Sequence, residues 1–157
     1  MLLQGTVLIS YRTGMSELPF APVPRSILET ALYVDDLEVA ADFYGRVMGL
    51  DEELRVPGRH VFFRVGGTIL LLFDPSVTQD GSSNPALPVP AHGATGAGHL
   101  CFGATRADIA AWRLRLEAAG HPVEADFDWP NGARSIYFRD PSGNSIEIAE
   151  PRLWYDE

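Results

Sequence analysis

The chain has 157 residues, 46% of them hydrophobic, and a formal net charge of -9. That apolar content suffices for a real core in one domain or two small fused modules, and the acidic balance argues against a nucleic-acid partner, whose phosphates require a basic surface. The one cysteine, Cys101, excludes an intrachain disulfide framework and a thiolate-rich metal site, and no apolar run approaches the roughly 20 residues of a membrane helix.

In chain order, residues 1–24 read as a flexible N-terminal arm, because Leu18-Pro19-Phe20-Ala21-Pro22-Val23-Pro24 carries three prolines. Met1 to Ser10 lacks a basic n-region and a clear cleavage site, so no secretory signal is expected and the protein reads as cytoplasmic, without a membrane partner. A strand is expected from Ile27 to Val34. Asp35 or Asp36 then caps a helix with apolar residues at three- and four-residue spacing, Leu37, Ala40 or Ala41, Tyr44, Val47 and Met48, which Gly49 ends. Three strands follow near Asp51–Val56, His60–Val65 and Thr68–Phe73. The Pro/Gly/Ser-rich residues 75–97 read as a linker or flap. The order then repeats: a strand at His99–Gly103, a helix opened by Thr105 and Asp108 and closed by Gly120, and strands near Pro122–Phe127, Ser135–Arg139 and Ser145–Glu150. The last two form a hairpin around Asp140-Pro141-Ser142-Gly143-Asn144, where Pro presets φ and Gly and Asn tolerate positive φ. The expected fold is therefore α+β: two βαβββ modules, 25–74 and 98–151, forming a cupped mixed sheet with helices on its outer face, followed by a tail at 152–157.

Strand parity then selects candidate functional residues. Side chains alternate across a strand, so Ile146 and Ile148 share the helix side while Ser145, Glu147 and Ala149 point into the cup. By the same rule Glu29, with Ile27, Ala31 and Tyr33, and His99, with Cys101 and Gly103, face the concave side. An unpaired carboxylate on such a face is costly, which points to a metal. Two carboxylates and a neutral imidazole balance a divalent ion, and the O, N, O donor set of Glu29, His99 and Glu147 suits Fe, Mn, Zn, Co or Ni. Three protein ligands leave positions open, as catalytic sites do. Glu147 or Glu29 is the first candidate base and Tyr137 the second. Arg134 is a candidate grip for a carboxylate or phosphonate, Trp129 a candidate pocket lid, and His92 a further residue lining the cavity. Aligning Gly66-Gly67-Thr68-Ile69-Leu70 with Gly143-Asn144-Ser145-Ile146-Glu147 sets Leu70 at the place of Glu147.

Asp36-Leu37-Glu38 through Phe43-Tyr44, Gly49-Leu50, and Tyr137-Phe138-Arg139-Asp140-Pro141-Ser142-Gly143-Asn144-Ser145-Ile146-Glu147 together make residues 26–151 resemble the vicinal oxygen chelate superfamily. Its members include glyoxalase I, extradiol dioxygenases, fosfomycin-resistance thiol transferases, methylmalonyl-CoA epimerase and bleomycin-binding resistance proteins. The resemblance implies ligands on the first strand of each module and the last strand of the second, here Glu29, His99 and Glu147. It also implies a Tyr137 that lines the substrate pocket. Enzymes with glyoxalase I activity carry a further ligand on the last strand of the first module, where this chain has Leu70, Leu71 and Leu72. The expectation is a divalent-metal-dependent isomerase, lyase or dioxygenase acting on a small oxygen-rich metabolite or xenobiotic, and not an authentic glyoxalase I. The alternative is a metal-free drug-binding protein of the bleomycin-resistance type. A homodimer is expected, with the modules pairing either within the chain or across it.

Overall fold

The computed structural model describes Pro19 and residues 21–155. Most of the expected N-terminal arm, and the end of the tail, lie outside the described residues. The first module runs β1 (Glu29–Tyr33), α1 (Leu37–Asp42), β2 (Asp51–Val56), β3 (His60–Val65) and β4 (Thr68–Phe73). Asp36 caps α1, its Oδ1 accepting from the amides of Glu38 and Val39, each at 3.0 Å. The helix then widens into a π-helical turn at Phe43–Val47, closed by Met48 N–H on the Phe43 carbonyl at 2.9 Å. Gly49, at φ +72°, stops it.

A short helix α2 (Pro75–Thr78), capped by Asp74, sits inside the segment expected to be a plain linker. Its Asp-Pro-Ser start is a helix-opening signal that the surrounding Pro and Gly conceal. The second module repeats the first: β5 (His99–Gly103), α3 (Arg106–Ala118), β6 (Val123–Asp128), β7 (Arg134–Arg139) and β8 (Ser145–Ala149). Thr105 caps α3 reciprocally with Asp108, accepting from its amide at 3.2 Å and donating to its carboxylate at 2.7 Å.

Each module folds into a mixed four-stranded sheet, ordered β1-β4-β3-β2 and β5-β8-β7-β6, with the first-named pair parallel and the others antiparallel. The outermost strand of each sheet carries a register shift at the same place, between Glu52 and Leu54 and between Val123 and Ala125. The sheets are separate and not closed into a barrel.

The helix-side faces of both sheets share one core, in which Leu32, Leu70, Leu72 and Phe63 of the first module join Ile136, Phe138, Ile146 and Ile148 of the second. The π-turn is the hinge of that union. Phe43 packs against Phe138 of the other sheet, and the Tyr44 hydroxyl donates to Asp140 at 2.9 Å. From α3, Arg115 donates to the carbonyls of Val47 and Arg46 at 2.7 and 2.9 Å, meeting the free end of the first helix. These contacts leave the opposite faces of both sheets free for a site. Among the described residues no helix is long and apolar enough to cross a membrane.

Candidate active site

Glu147 lies in the middle of β8 on the face away from the core, and its side chain is only 6% exposed. Its Oε1 accepts a 2.6 Å hydrogen bond from Ser135 Oγ on β7. Its Oε2 lies 3.5 Å from Nε2 of His99, which stands two residues before the strand partner of Glu147 on the parallel β5. The other ring nitrogen of His99 is committed: Nδ1 lies 3.1 Å from the Ser145 carbonyl, an acceptor only, so Nδ1 carries the proton. In the neutral ring, Nε2 therefore presents its lone pair to a carboxylate oxygen. Two acceptors facing each other at this distance form an arrangement that a cation between them would favour.

Around this pair the strand ladder places Tyr137 beside Glu147 on β7 and Cys101 beside it on β5. Desolvation, and after it the neighbouring Glu147 carboxylate, push the Cys101 thiol up to about 12, so it is not a thiolate near neutrality. The Tyr137 hydroxyl is raised for the same reasons, burial first and then the neighbouring Glu147 carboxylate. A hydroxyl so raised stays protonated near neutrality. Its ring is sandwiched between His99, with centroids 6.3 Å apart, and Phe127, at 5.9 Å and nearly parallel. Trp129 leans on Phe127 at 5.1 Å and donates its indole N–H to Ser135 Oγ at 2.8 Å. Trp129 is thus a support behind the site instead of a lid over it.

Ser135 was not singled out from the sequence. The available signal was its parity with Tyr137 on one strand, which places its hydroxyl on the same face as Glu147.

The remaining predicted residues fall elsewhere. Glu29 sits on the open face of the first sheet, exposed and paired in register with Ile69. Among the described residues no three His, Cys, Asp or Glu side chains gather into a group able to hold a metal, so one chain does not bring Glu29 to His99 and Glu147. Arg134 has the parity of Ile136 and Phe138 and points to the helix side, where it forms a two-pronged pair with Asp126 at 2.8 Å in both contacts. Its guanidinium is therefore engaged away from the pocket. His92 lies on the first module, its Nδ1 2.8 Å from the Tyr33 hydroxyl and its ring against Phe73 at 4.7 Å.

The expected equivalence of Leu70 and Glu147 needs correction. In the ladders Leu71 pairs with Ala31 as Glu147 pairs with Cys101, and Leu70 faces the core with Leu72. The turn between β3 and β4 is shorter than that between β7 and β8, so matching the turn glycines slips the register by one residue and swaps faces.

A family model described as the Glyoxalase/Bleomycin resistance protein/Dioxygenase superfamily matches residues 26–148. The chain belongs to this superfamily. Among solved structures, a lactoylglutathione lyase from Agrobacterium tumefaciens is 48% identical, with a TM-score of 0.80, covering 85% of this chain and 98% of that one. A glyoxalase/bleomycin resistance protein/dioxygenase superfamily member from Nocardioides is 26% identical, with a TM-score of 0.64, over 83% of this chain and 85% of that one. TioX from Micromonospora sp. ML1, at 24% identity and a TM-score of 0.62 over 80% of this chain and 98% of that one, shares the fold. No curated protein matches.

The lactoylglutathione lyase match overturns the expectation that this superfamily member is not an authentic glyoxalase I. That expectation rested on the aliphatic Leu70, Leu71 and Leu72 standing where a further ligand of the first module was looked for. A likeness spread over most of the chain outweighs that local difference, although the corrected counterpart of Glu147, Leu71, is also aliphatic.

Proposed function

We propose that this protein is a divalent-metal-assisted lyase of the lactoylglutathione lyase kind, acting on a small oxygen-rich substrate as a homodimer. The observation that carries the reading is the facing pair of acceptors, His99 Nε2 and Glu147 Oε2 at 3.5 Å, each with its companion atom already hydrogen-bonded. The 48% identical lactoylglutathione lyase supports the reaction class.

The donor chemistry fits a divalent ion. His99 and Glu147 would hold it, with Glu29 as a third donor, and it would supply Lewis-acid polarisation of substrate oxygens. Glu29 lies on the open face of the first sheet and is not joined to the pair within one chain, which supports a second copy bringing its own Glu29. The wider face then gives each residue a task. The stacked rings of Phe127, Tyr137 and His99 form an apolar wall that keeps water from one side of the substrate. Tyr137, held protonated, donates to a substrate oxygen. A carboxylate, Glu147 or Glu29, takes a proton from carbon beside a carbonyl and returns it to the neighbouring atom, which is the work of an isomerising lyase.

The test combines metal uptake with turnover in the lactoylglutathione lyase reaction. Chelator-treated protein should regain stoichiometric metal and activity on adding Ni(II), Co(II), Zn(II), Mn(II) or Fe(II). His99→Ala and Glu147→Gln should lose both while retaining their circular dichroism. Wild-type protein that takes up none of these metals and shows no turnover refutes the reading.

A further inference from the structure

Ser135 and Trp129 belong to no function so far assigned, yet they form a directed chain ending on the most buried carboxylate of the open face. An indole N–H can only donate, so in the 2.8 Å contact Ser135 Oγ must be the acceptor. Its one proton is then free for the 2.6 Å contact with Glu147 Oε1. Ser135 is fully buried, and its direction of donation is set by Trp129 rather than by solvent. The backbone holds Trp129 in turn. Its amide donates to the Ala133 carbonyl at 2.8 Å, and its carbonyl accepts from the Gly132 amide at 2.7 Å, closing the turn between β6 and β7.

The same indole also reaches His99 by a second route, since Trp129 packs on Phe127, Phe127 stacks on Tyr137, and Tyr137 stacks on His99. One residue thus stands behind both members of the facing pair, through hydrogen bonds to the carboxylate and through stacked rings to the imidazole.

We propose that Ser135 and Trp129 are positioning residues that occupy Glu147 Oε1 and so present Glu147 to the site through Oε2 alone. The proposal rests on the reading of Glu147 as a ligand. The plane of the carboxylate is fixed by the Ser135 bond before any ligand arrives, and the lone pair nearest His99 is the one left unused. An outer partner of this sort is worth roughly 10- to 100-fold in metal affinity.

Three measurements test this. First, Ni(II) or Co(II) titrated calorimetrically into chelator-treated Ser135→Ala should bind roughly 10- to 100-fold more weakly than to wild type. Second, Trp129→Phe keeps the ring on Phe127 and loses only the N–H; it should weaken binding less, and the double variant should be no weaker than Ser135→Ala, because Trp129 acts through Ser135. Third, the Trp129 indole N–H, assigned by its absence from the Trp129→Phe spectrum, should exchange slowly with solvent in metal-free wild type and rapidly in Ser135→Ala. A purely structural role would lower thermal stability while leaving the affinity of the folded protein unchanged. Ser135→Ala that folds and binds metal as tightly as wild type overturns the positioning role, as does an indole N–H that exchanges freely in wild type. If Ser135→Ala does not fold, unchanged affinity in Trp129→Phe together with free indole exchange in wild type overturns it. Wild-type protein that binds neither metal overturns the functional reading instead, and the indole exchange still decides whether the chain to Glu147 exists.

Discussion

Replacing Tyr44 by Phe tests whether the two modules are clamped where the π-turn meets the second hairpin. Tyr44 is fully buried and its hydroxyl donates to Asp140 Oδ2 at 2.9 Å. The substitution keeps the ring and opens no large cavity, so the loss is one hydrogen bond to a charged acceptor, about 1.5–3 kcal/mol. Asp140 is not left bare. Its Oδ1 still accepts from the amides of Ser142 and Asn144, and its Oδ2 from Asn144 Nδ2, all at 2.9 Å. The lower part of the range, about 1.5–2 kcal/mol, is therefore expected. For a chain of this size that lowers Tm by about 3–8 °C. Urea unfolding should show a lower midpoint with an unchanged slope. Asp140→Ala abandons all four donors and should cost about 3 kcal/mol or more. A Tyr44→Phe loss below about 0.5 kcal/mol would refute the clamp, because it would mean that the buried bond is replaced at no cost.

The same hydroxyl makes stability depend on alkaline pH. Burial, and after it the charge and hydrogen bond of Asp140, raise the Tyr44 hydroxyl far above its ordinary value of 10.0. Above pH 10 the unfolded chain releases this proton while the folded chain keeps it, so wild type should lose about 1.4 kcal/mol per pH unit through Tyr44. The stability gap to Tyr44→Phe should accordingly narrow by about 1 kcal/mol between pH 10 and 11, where the unfolded hydroxyl is still titrating; a constant gap across denaturation curves at the two pH values would contradict the assignment. Leu71→Glu places a carboxylate on the covered but outer face, where Leu71 is 8% exposed, and should cost about 1–3 kcal/mol, whereas Leu70→Glu, one residue away and 1% exposed, drives a charge into the shared core and should cost clearly more, about 3 kcal/mol or above, by urea unfolding. Equal effects would reject the corrected register. Arg115→Ala should destabilise by about 1–3 kcal/mol, since it uncaps the Arg46 and Val47 carbonyls, and Arg115→Lys should recover only part of this because one ammonium cannot reproduce the fork.

Much of the fold was legible because its signals are local. The strands at Asp51–Val56, His60–Val65, Thr68–Phe73 and His99–Gly103 coincide with their predicted spans, and Thr105 caps α3 as its spacing with Asp108 implies. α2 was not legible, since a single capped turn is too short to show a period. In the site, parity correctly put His99, Tyr137 and Glu147 on one face. It also predicts that Arg134 faces away, and treating proximity along the chain as proximity in space obscured this.

By itself the sequence determined two βαβββ modules, their caps and turns, and which side chains each strand turns away from its helix, because alternation and capping act over a few residues. Only the tertiary structure decided the rest. Pairing register, which depends on turn length and on strands far apart in the chain, made Leu71 rather than Leu70 the counterpart of Glu147. Hydrogen-bond direction, which depends on how Trp129 packs, tied Ser135 to one carboxylate oxygen and left the other facing His99. The packing of the two modules through Phe43, Tyr44 and Arg115 set Glu29 apart from that pair, because the shared core joins the helix sides of the sheets and leaves their open faces unjoined.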